Sequence, residues 1–288
     1  MQTSRTPNRR RSDRRLATGL FALAAALAVN SLLGPLAAGV VTYPLSETLL
    51  NQTIGLEAFT LVAVAPLTAL AGVLVLRGHA VGPVVAIPPA AYTVYMFAQY
   101  VVGPEYGTYA LVVLLHLAIF VLGGGLLVAA WTRARQSDLP PMSPRRTRAY
   151  SVGLLLLAAF VTSRYLATAG AFLTGGPIPA EFVDDPSMYW SIFLLDLGVV
   201  LPVTVAVAVG LRRGAPWART ALYGVVGWYV LVPISVATMG VAMVVNGDPN
   251  AAVGRVVMFA VAALLFTAFA VYAYRPLLAP RTGRQAIR

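Results

Sequence analysis

The chain has 288 residues, 59% of them hydrophobic and 11% charged, with a mean hydropathy of +0.78. That balance lies outside the range of water-soluble domains and reads as an integral membrane protein. All 21 basic residues are Arg and there is no Cys, which excludes retinal or pyridoxal phosphate held by Lys, disulfides, thiolate nucleophiles and thiolate-ligated clusters.

The net charge of +11 is distributed in a way that argues against nucleic acid. Arg5, Arg9, Arg10, Arg11, Arg14 and Arg15 stand directly before an apolar run that starts at Leu16 and continues to about Val41. The arrangement is open to reading as a signal peptide, with Arg14-Arg15 weakly like a twin-arginine signal. The length of the run and the further runs after it favour an uncleaved first helix.

Eight apolar runs are long enough for helices crossing a hydrocarbon core of about 30 Å: 16–41, 55–76, 81–102, 107–131, 149–173, 189–211, 217–245 and 252–274. With the N-terminus in the cytoplasm, 19 of the 21 Arg fall in cytoplasmic segments and none in an outer loop. This is the charge asymmetry expected of a polytopic protein, here with both termini inside. Glu47, Glu105, Glu181, Asp184, Asp185 and Asp248 fall in the outer loops.

The expected organisation is an all-α bundle in a prokaryotic cytoplasmic membrane, the source read from Arg without Lys beside abundant Ala and Val. An Arg-rich N-terminus (1–15) leads into a four-span half (16–131). A cytoplasmic linker (132–148), rich in Pro and charge, then joins a second half (149–274) and a tail (275–288). Pro66 is followed eleven residues later by Arg77-Gly78, and Pro202 eleven residues later by Arg213-Gly214. Tyr92 and Trp228 lie fifteen residues beyond those arginines. A repeat of two like-oriented halves would give this spacing.

Charged side chains within the membrane are costly and mark function by default. Four are candidates: Glu57, Arg164, Asp196 and Arg255. Asp196 and Arg164 fall roughly 11 and 14 Å below the outer boundary of consecutive antiparallel spans, at about 1.5 Å per residue, and are expected to pair. Glu57 and Arg255, near the outer ends of their spans, are expected to form a second pair. Pro202 is expected to free the carbonyl of Gly198 and expose it to the same cavity. Gln99 and His116 share the outer half, so the candidate polar cavity comprises Glu57, Gln99, His116, Arg164, Asp196 and Arg255. Packing alone remains open for each pair, as do snorkelling for the residues near span ends and a hydrogen-bonded packing role for His116.

The chain carries no HExxH, GxSxG, Walker or dinucleotide-binding signature. Two-His haem ligation is disfavoured because His79 belongs to a cytoplasmic turn, and no cofactor is expected. A metal held by Glu57, His116 and Asp196 is a minor alternative, and none is expected. The segments NQTIGLEAFTLVAVAP (51–66), AYTVYMFAQYVVG (91–103) and FLLDLGVVLPVTVAVAVGLRRGAPWA (193–218) resemble a group of uncharacterised multi-pass membrane proteins of bacteria and archaea. That resemblance implies a helical protein of about eight spans and supplies no activity.

Three roles follow as expectations. The first is binding or transport of a small polar or anionic solute, with Arg164 and Arg255 as counter-charges. The second is an intramembrane enzyme on a lipid-linked substrate, with Asp196 or Glu57 as base and His116 as acid. The third is a non-catalytic assembly subunit in which the ion pairs only set packing. The lipid bilayer is the expected partner in each, and nucleic acid in none.

Overall fold

The computed structural model describes residues 7–278, with side chains from residue 10 onward. The described residues are helical with no strands, and eight helical spans are long and apolar enough to cross a membrane. The N-terminal residues before Pro7, and the part of the expected cytoplasmic tail after Leu278, lie outside the described residues.

The first span is α1 (Pro7–Leu33) and the second is broken into α2 (Glu47–Phe59), a π turn (Thr60–Val64) and α3 (Ala65–Leu76). The third and fourth are α4 (Gly82–Val102) and α5 (Leu111–Arg135). The fifth is α6 (Pro144–Ser163) and α7 (Leu166–Thr174), separated at Arg164-Tyr165. The sixth is α8 (Pro186–Leu195), a π turn (Asp196–Val200) and α9 (Leu201–Arg212), followed by α10 (Pro216–Val245) and α11 (Val253–Leu278).

Span three agrees with its expected bounds, but the first two differ in an instructive way. The apolar stretch at 34–41 is not helix: Gly34-Pro35 ends α1, because proline cannot continue an interior helix and the residue before it is pushed from helical geometry. The chain instead folds back as a loop to Ser46, whose side chain caps α2 by accepting from the Leu49 N–H. Span two therefore begins eight residues earlier than the apolar run at 55 implied, and Glu47 is its first residue rather than a loop residue. Thr48, Asn51, Gln52 and Thr53, which precede the apolar run at 55, are buried helix residues.

Both π turns precede a proline. In each the N–H just before the proline reaches five residues back, Ala65 to the Thr60 carbonyl and Leu201 to the Asp196 carbonyl. The wider turn takes up the steric conflict and the missing donor that proline brings to a helix interior. The same local events recur 136 residues apart, between Pro66 and Pro202. Thr68 and Thr204 donate to the carbonyls of Val64 and Val200. Gly78 and Gly214, at φ +74° and +69°, close α3 and α9 in the left-handed conformation that glycine adopts without strain.

Packing follows the same order in each half: α1 lies against α3 and α4 against α5, as α6 lies against α9 and α10 against α11. The halves meet where α10 packs on α2 and α4. Small residues permit that approach. A Cβ at Gly55 would sit 2.3 Å from the Thr238 carbonyl oxygen, and one at Gly227 would sit 2.4 Å from the Pro88 side chain.

Candidate functional site

Asp196 opens the second π turn and is 3% exposed. Its Oδ1 accepts from the Tyr95 hydroxyl at 2.6 Å, and its Oδ2 from the Tyr165 hydroxyl at 2.7 Å and Arg164 Nη1 at 3.3 Å. Three elements thus converge on one carboxylate: α4, the break between α6 and α7, and the sixth span. The break places Arg164 and Tyr165 side by side at the end of α6, so that both reach the acid from adjacent backbone positions. Here the expected pair at matching depth is present, with two tyrosines that sequence spacing did not indicate.

Arg164 spends little of its donor capacity on this contact. Among the described residues Asp196 is its only hydrogen-bond partner, through one nitrogen. The rest of the guanidinium stacks over Phe259 at 5.1 Å and faces a cavity of about 460 Å³. That volume falls in the usual range of small-molecule sites, about 300–1,000 Å³. Gln52, Gln99, Glu181, Asn250, Arg164 and Arg255 line it. The rest of its wall mixes the hydroxyls of Ser163, Thr168 and Ser235 with aliphatic and aromatic side chains, Phe160 and Phe259 among them, and four of the seven methionines: Met96, Met239, Met243 and Met258. Along α10 the lining runs from Met243 to Val232, so the cavity reaches roughly 20 Å below the Val245 end of that helix at about 1.5 Å per residue.

Of the six expected cavity residues, Gln99, Arg164 and Arg255 line this space and Asp196 stands directly behind it, holding Arg164, Tyr95 and Tyr165. Glu57 and His116 do not line it. Gly198 does not line it either; the effect of Pro202 is the π turn, not a carbonyl presented to the cavity.

The expected Glu57–Arg255 pair does not form. Arg255 Nη1 instead pairs with Glu181 Oε2, in the short helical turn Ala180–Phe182 that follows α7. Glu57 points to the opposite side of α2, into the loop after α1. Its Oε1 accepts from the Tyr43 hydroxyl and its Oε2 from the Leu36 N–H, each at 3.1 Å. A Cβ at Gly34 would lie 2.0 Å from Oε1, so the absence of a side chain there lets the carboxylate rest on the backbone. Burial, reinforced by the nearby Glu57, raises the Tyr43 phenol above its ordinary value. Burial alone pushes Tyr106 up to about 12.

His116 is fully buried in the same cluster. Its Nε2 is 3.1 Å from Asn30 Oδ1, and its ring stacks on Tyr43 and lies 5.0 Å from that of Tyr100. Asp196 shares none of these partners, and among the described residues no group of His and acidic side chains converges as a metal would require. The metal arrangement of Glu57, His116 and Asp196 therefore does not exist in the fold.

Two acidic loop residues carry structural roles invisible in the sequence. Asp248 accepts from Thr48 Oγ1 at 3.2 Å, Asn51 Nδ2 at 2.9 Å and the Asn250 N–H at 2.8 Å, tying α2 to the turn after α10. Asp185 Oδ2 accepts from the Ser46 N–H at 2.9 Å, joining the starts of α2 and α8. A run of polar residues on one helix flank, Thr48 to Gln52, was the available signal for the first of these.

The fold and its eight apolar spans define a multi-pass helical membrane protein. In comparisons with family models, curated proteins and solved structures, the chain matches none. The resemblance drawn from the three sequence segments therefore brings no residue role to this site.

Proposed function

We propose that the cavity binds a small solute with an anionic head and an apolar body, as a binding or transport protein of the cytoplasmic membrane. The observation that carries this reading is Arg164. A guanidinium within a membrane span is costly unless its donors are filled. Here one nitrogen makes a 3.3 Å contact while the rest faces a cavity. Asp196 is already served by two hydroxyls, so it orients Arg164 without consuming it. A carboxylate or phosphate would complete the fork that the protein leaves open.

The arginine distribution supports placing the mouth on the extracytoplasmic side, since the lining residues Gln52, Gln99 and Asn250 lie at the span ends opposite the arginine-rich segments. The recurrence of turn, threonine and glycine at one offset supports two like-oriented halves with the cavity against their junction at α10. An assembly role in which the ion pairs only fix packing asks for dry, closed pairs; both guanidiniums instead line open space.

The test is calorimetric titration of the purified chain in phosphatidylcholine nanodiscs with octanoate, against octanol as the uncharged control. Saturable octanoate binding that weakens about tenfold or more in Arg164→Gln and Arg255→Gln is the expected result. Equal binding of octanol, or octanoate binding indifferent to both substitutions, would overturn the reading.

A further inference from the structure

The bundle is not equally closed on all sides. Among the described residues α11 packs its backbone closely against α10 alone, while α6 lies on α9. Across the gap between α6 and α11 the contact is made by rings: Phe160 meets Phe266 at 5.2 Å and Phe259 at 6.3 Å, both edge to face. Beyond this aromatic bar the Arg164 guanidinium crosses to Phe259 at 5.1 Å, and the cavity is lined from both helices. Ser163 and Arg164 stand on one edge and Arg255 and Met258 on the other; all four are exposed and all four line the cavity.

The surface flanking the gap is apolar on both sides. Val257 and Val261 of α11 are 56% and 50% exposed, and Leu166 of α7 is 65% exposed. In a membrane-spanning bundle such faces look into lipid, so the gap opens sideways into the bilayer as well as toward the loops.

The polarity inside is graded along the same axis. Arg255 lies in the first turn of α11, and Arg164 stacks on Phe259, one turn further in on the same helix. The two guanidiniums are therefore separated by about one turn, roughly 5–6 Å along the axis. Deeper in, the wall is mostly apolar, with Met239, Val236 and Val232 of α10 and Phe160 of α6 beside the hydroxyl of Ser235, while Met243 lies near the Val245 end; the methionines adapt to apolar bodies of variable shape. A lipid of the same leaflet carries its groups in the same order, with its head at the interface and its chain below.

We infer that the ligand of this cavity is an anionic amphiphile of the bilayer itself, which enters through the gap between α6 and α11 with its carboxylate or phosphate on Arg164 and Arg255 and its acyl chain along the methionine wall. This rests on the anion-binding reading above and names both the ligand class and the route. Glu181 now holds Arg255, and the entering head group takes its place. The turn at Ala180–Phe182 is then released from α11, because that ion pair is its tie across the mouth.

The experiment separates route from site. The purified full chain is placed in phosphatidylcholine nanodiscs containing oleate or its neutral analogue oleyl alcohol, and bound lipid is counted by native mass spectrometry. Wild type is expected to retain one oleate and no oleyl alcohol. Arg255→Gln, a surface change that leaves Asp196 and its partners intact, is expected to lose oleate about tenfold or more. Val257→Trp, which crowds the lipid-facing flank of the gap at an exposed residue that does not line the cavity, is expected to cut oleate retention while leaving octanoate titration from water unchanged. Oleate retained equally by Val257→Trp and wild type would overturn the lateral route. Octanoate bound with oleate ignored would overturn the lipid assignment yet leave the anion site standing. Failure of both ligands removes the anion site and the proposed function with it.

Discussion

Asp196 and Glu57 are both buried carboxylates in the same bundle, 3% and 1% exposed, yet they are held in opposite ways. Asp196 has a formal counter-charge and two tyrosine hydroxyls and backs onto a cavity. Among the described residues Glu57 has no ion pair, only a phenol, a backbone N–H and a glycine that makes room for it. The first arrangement leaves a cation partly unspent, which serves recognition. The second spends every donor on closing a loop over the end of α1. A buried acid in a membrane span is therefore not by itself a site; what decides is whether its partner still has something to offer.

The contrast is broken or sharpened most strongly at Asp196. Asp196→Asn strips the partly exposed Arg164 of its counter-charge and is expected to cost about 2 kcal/mol, the scale of a hydrogen bond to a charged group. Stability in detergent would be read by thermal unfolding. Combining it with Arg164→Ala should cost less than the two single changes added together, since residues in contact couple; strict additivity would mean the 3.3 Å contact carries no energy.

Gly34→Ala comes next. It drives a methyl group into the Glu57 carboxylate at 2.0 Å, and overpacking of this kind costs about 1–3 kcal/mol. Glu57→Ala in the same chain should recover part of the loss, which would locate the conflict at the carboxylate. Glu57→Gln should cost only about 1 kcal/mol, because the amide oxygen can accept from the Leu36 N–H while its NH2 donates to the Tyr43 hydroxyl, which can turn to accept. A cost equal to that of Asp196→Asn would erase the distinction between the two acids.

The smallest effect is expected with pH. The raised values of Tyr43 and Tyr106 mean that the folded protein holds these phenolic protons more tightly than the unfolded chain does. Their contribution is fully present below the unfolded value near 10 and is lost as pH rises from there through about 12 for Tyr106. An unfolding series from neutral to alkaline pH should fall in that window, and Tyr106→Phe should flatten the fall without moving the neutral plateau.

Much of the fold is written in composition: the apolar runs mark all eight spans. Depth counting also brought Arg164 to Asp196, because consecutive antiparallel spans share a boundary from which depth can be measured. It failed for Glu57 and Arg255 because the start of span two was hidden: the helix begins at Glu47, so Glu57 lies ten residues into it, roughly 15 Å at about 1.5 Å per residue, while Arg255 is in the first turn of α11. In the sequence Glu181 and Asp248 read only as charges of expected outer loops, yet the first holds Arg255 and the second anchors α2. The stretch after Leu33 looked like more helix because it is apolar, but Gly34-Pro35 turned it into the loop that supplies the partners of Glu57.

The π turns at Thr60–Val64 and Asp196–Val200 have a consequence for tolerance to mutation. Each holds one residue more than an α-helix needs to join its flanks, so the segments on either side keep their phase when that residue is taken out. Val62 and Val199, 73% and 49% exposed on the outside of these turns, are thus positions where a single-residue deletion should leave the spans in register. The same deletion one turn away in α3 or α9 would swing every later side chain by roughly 100°.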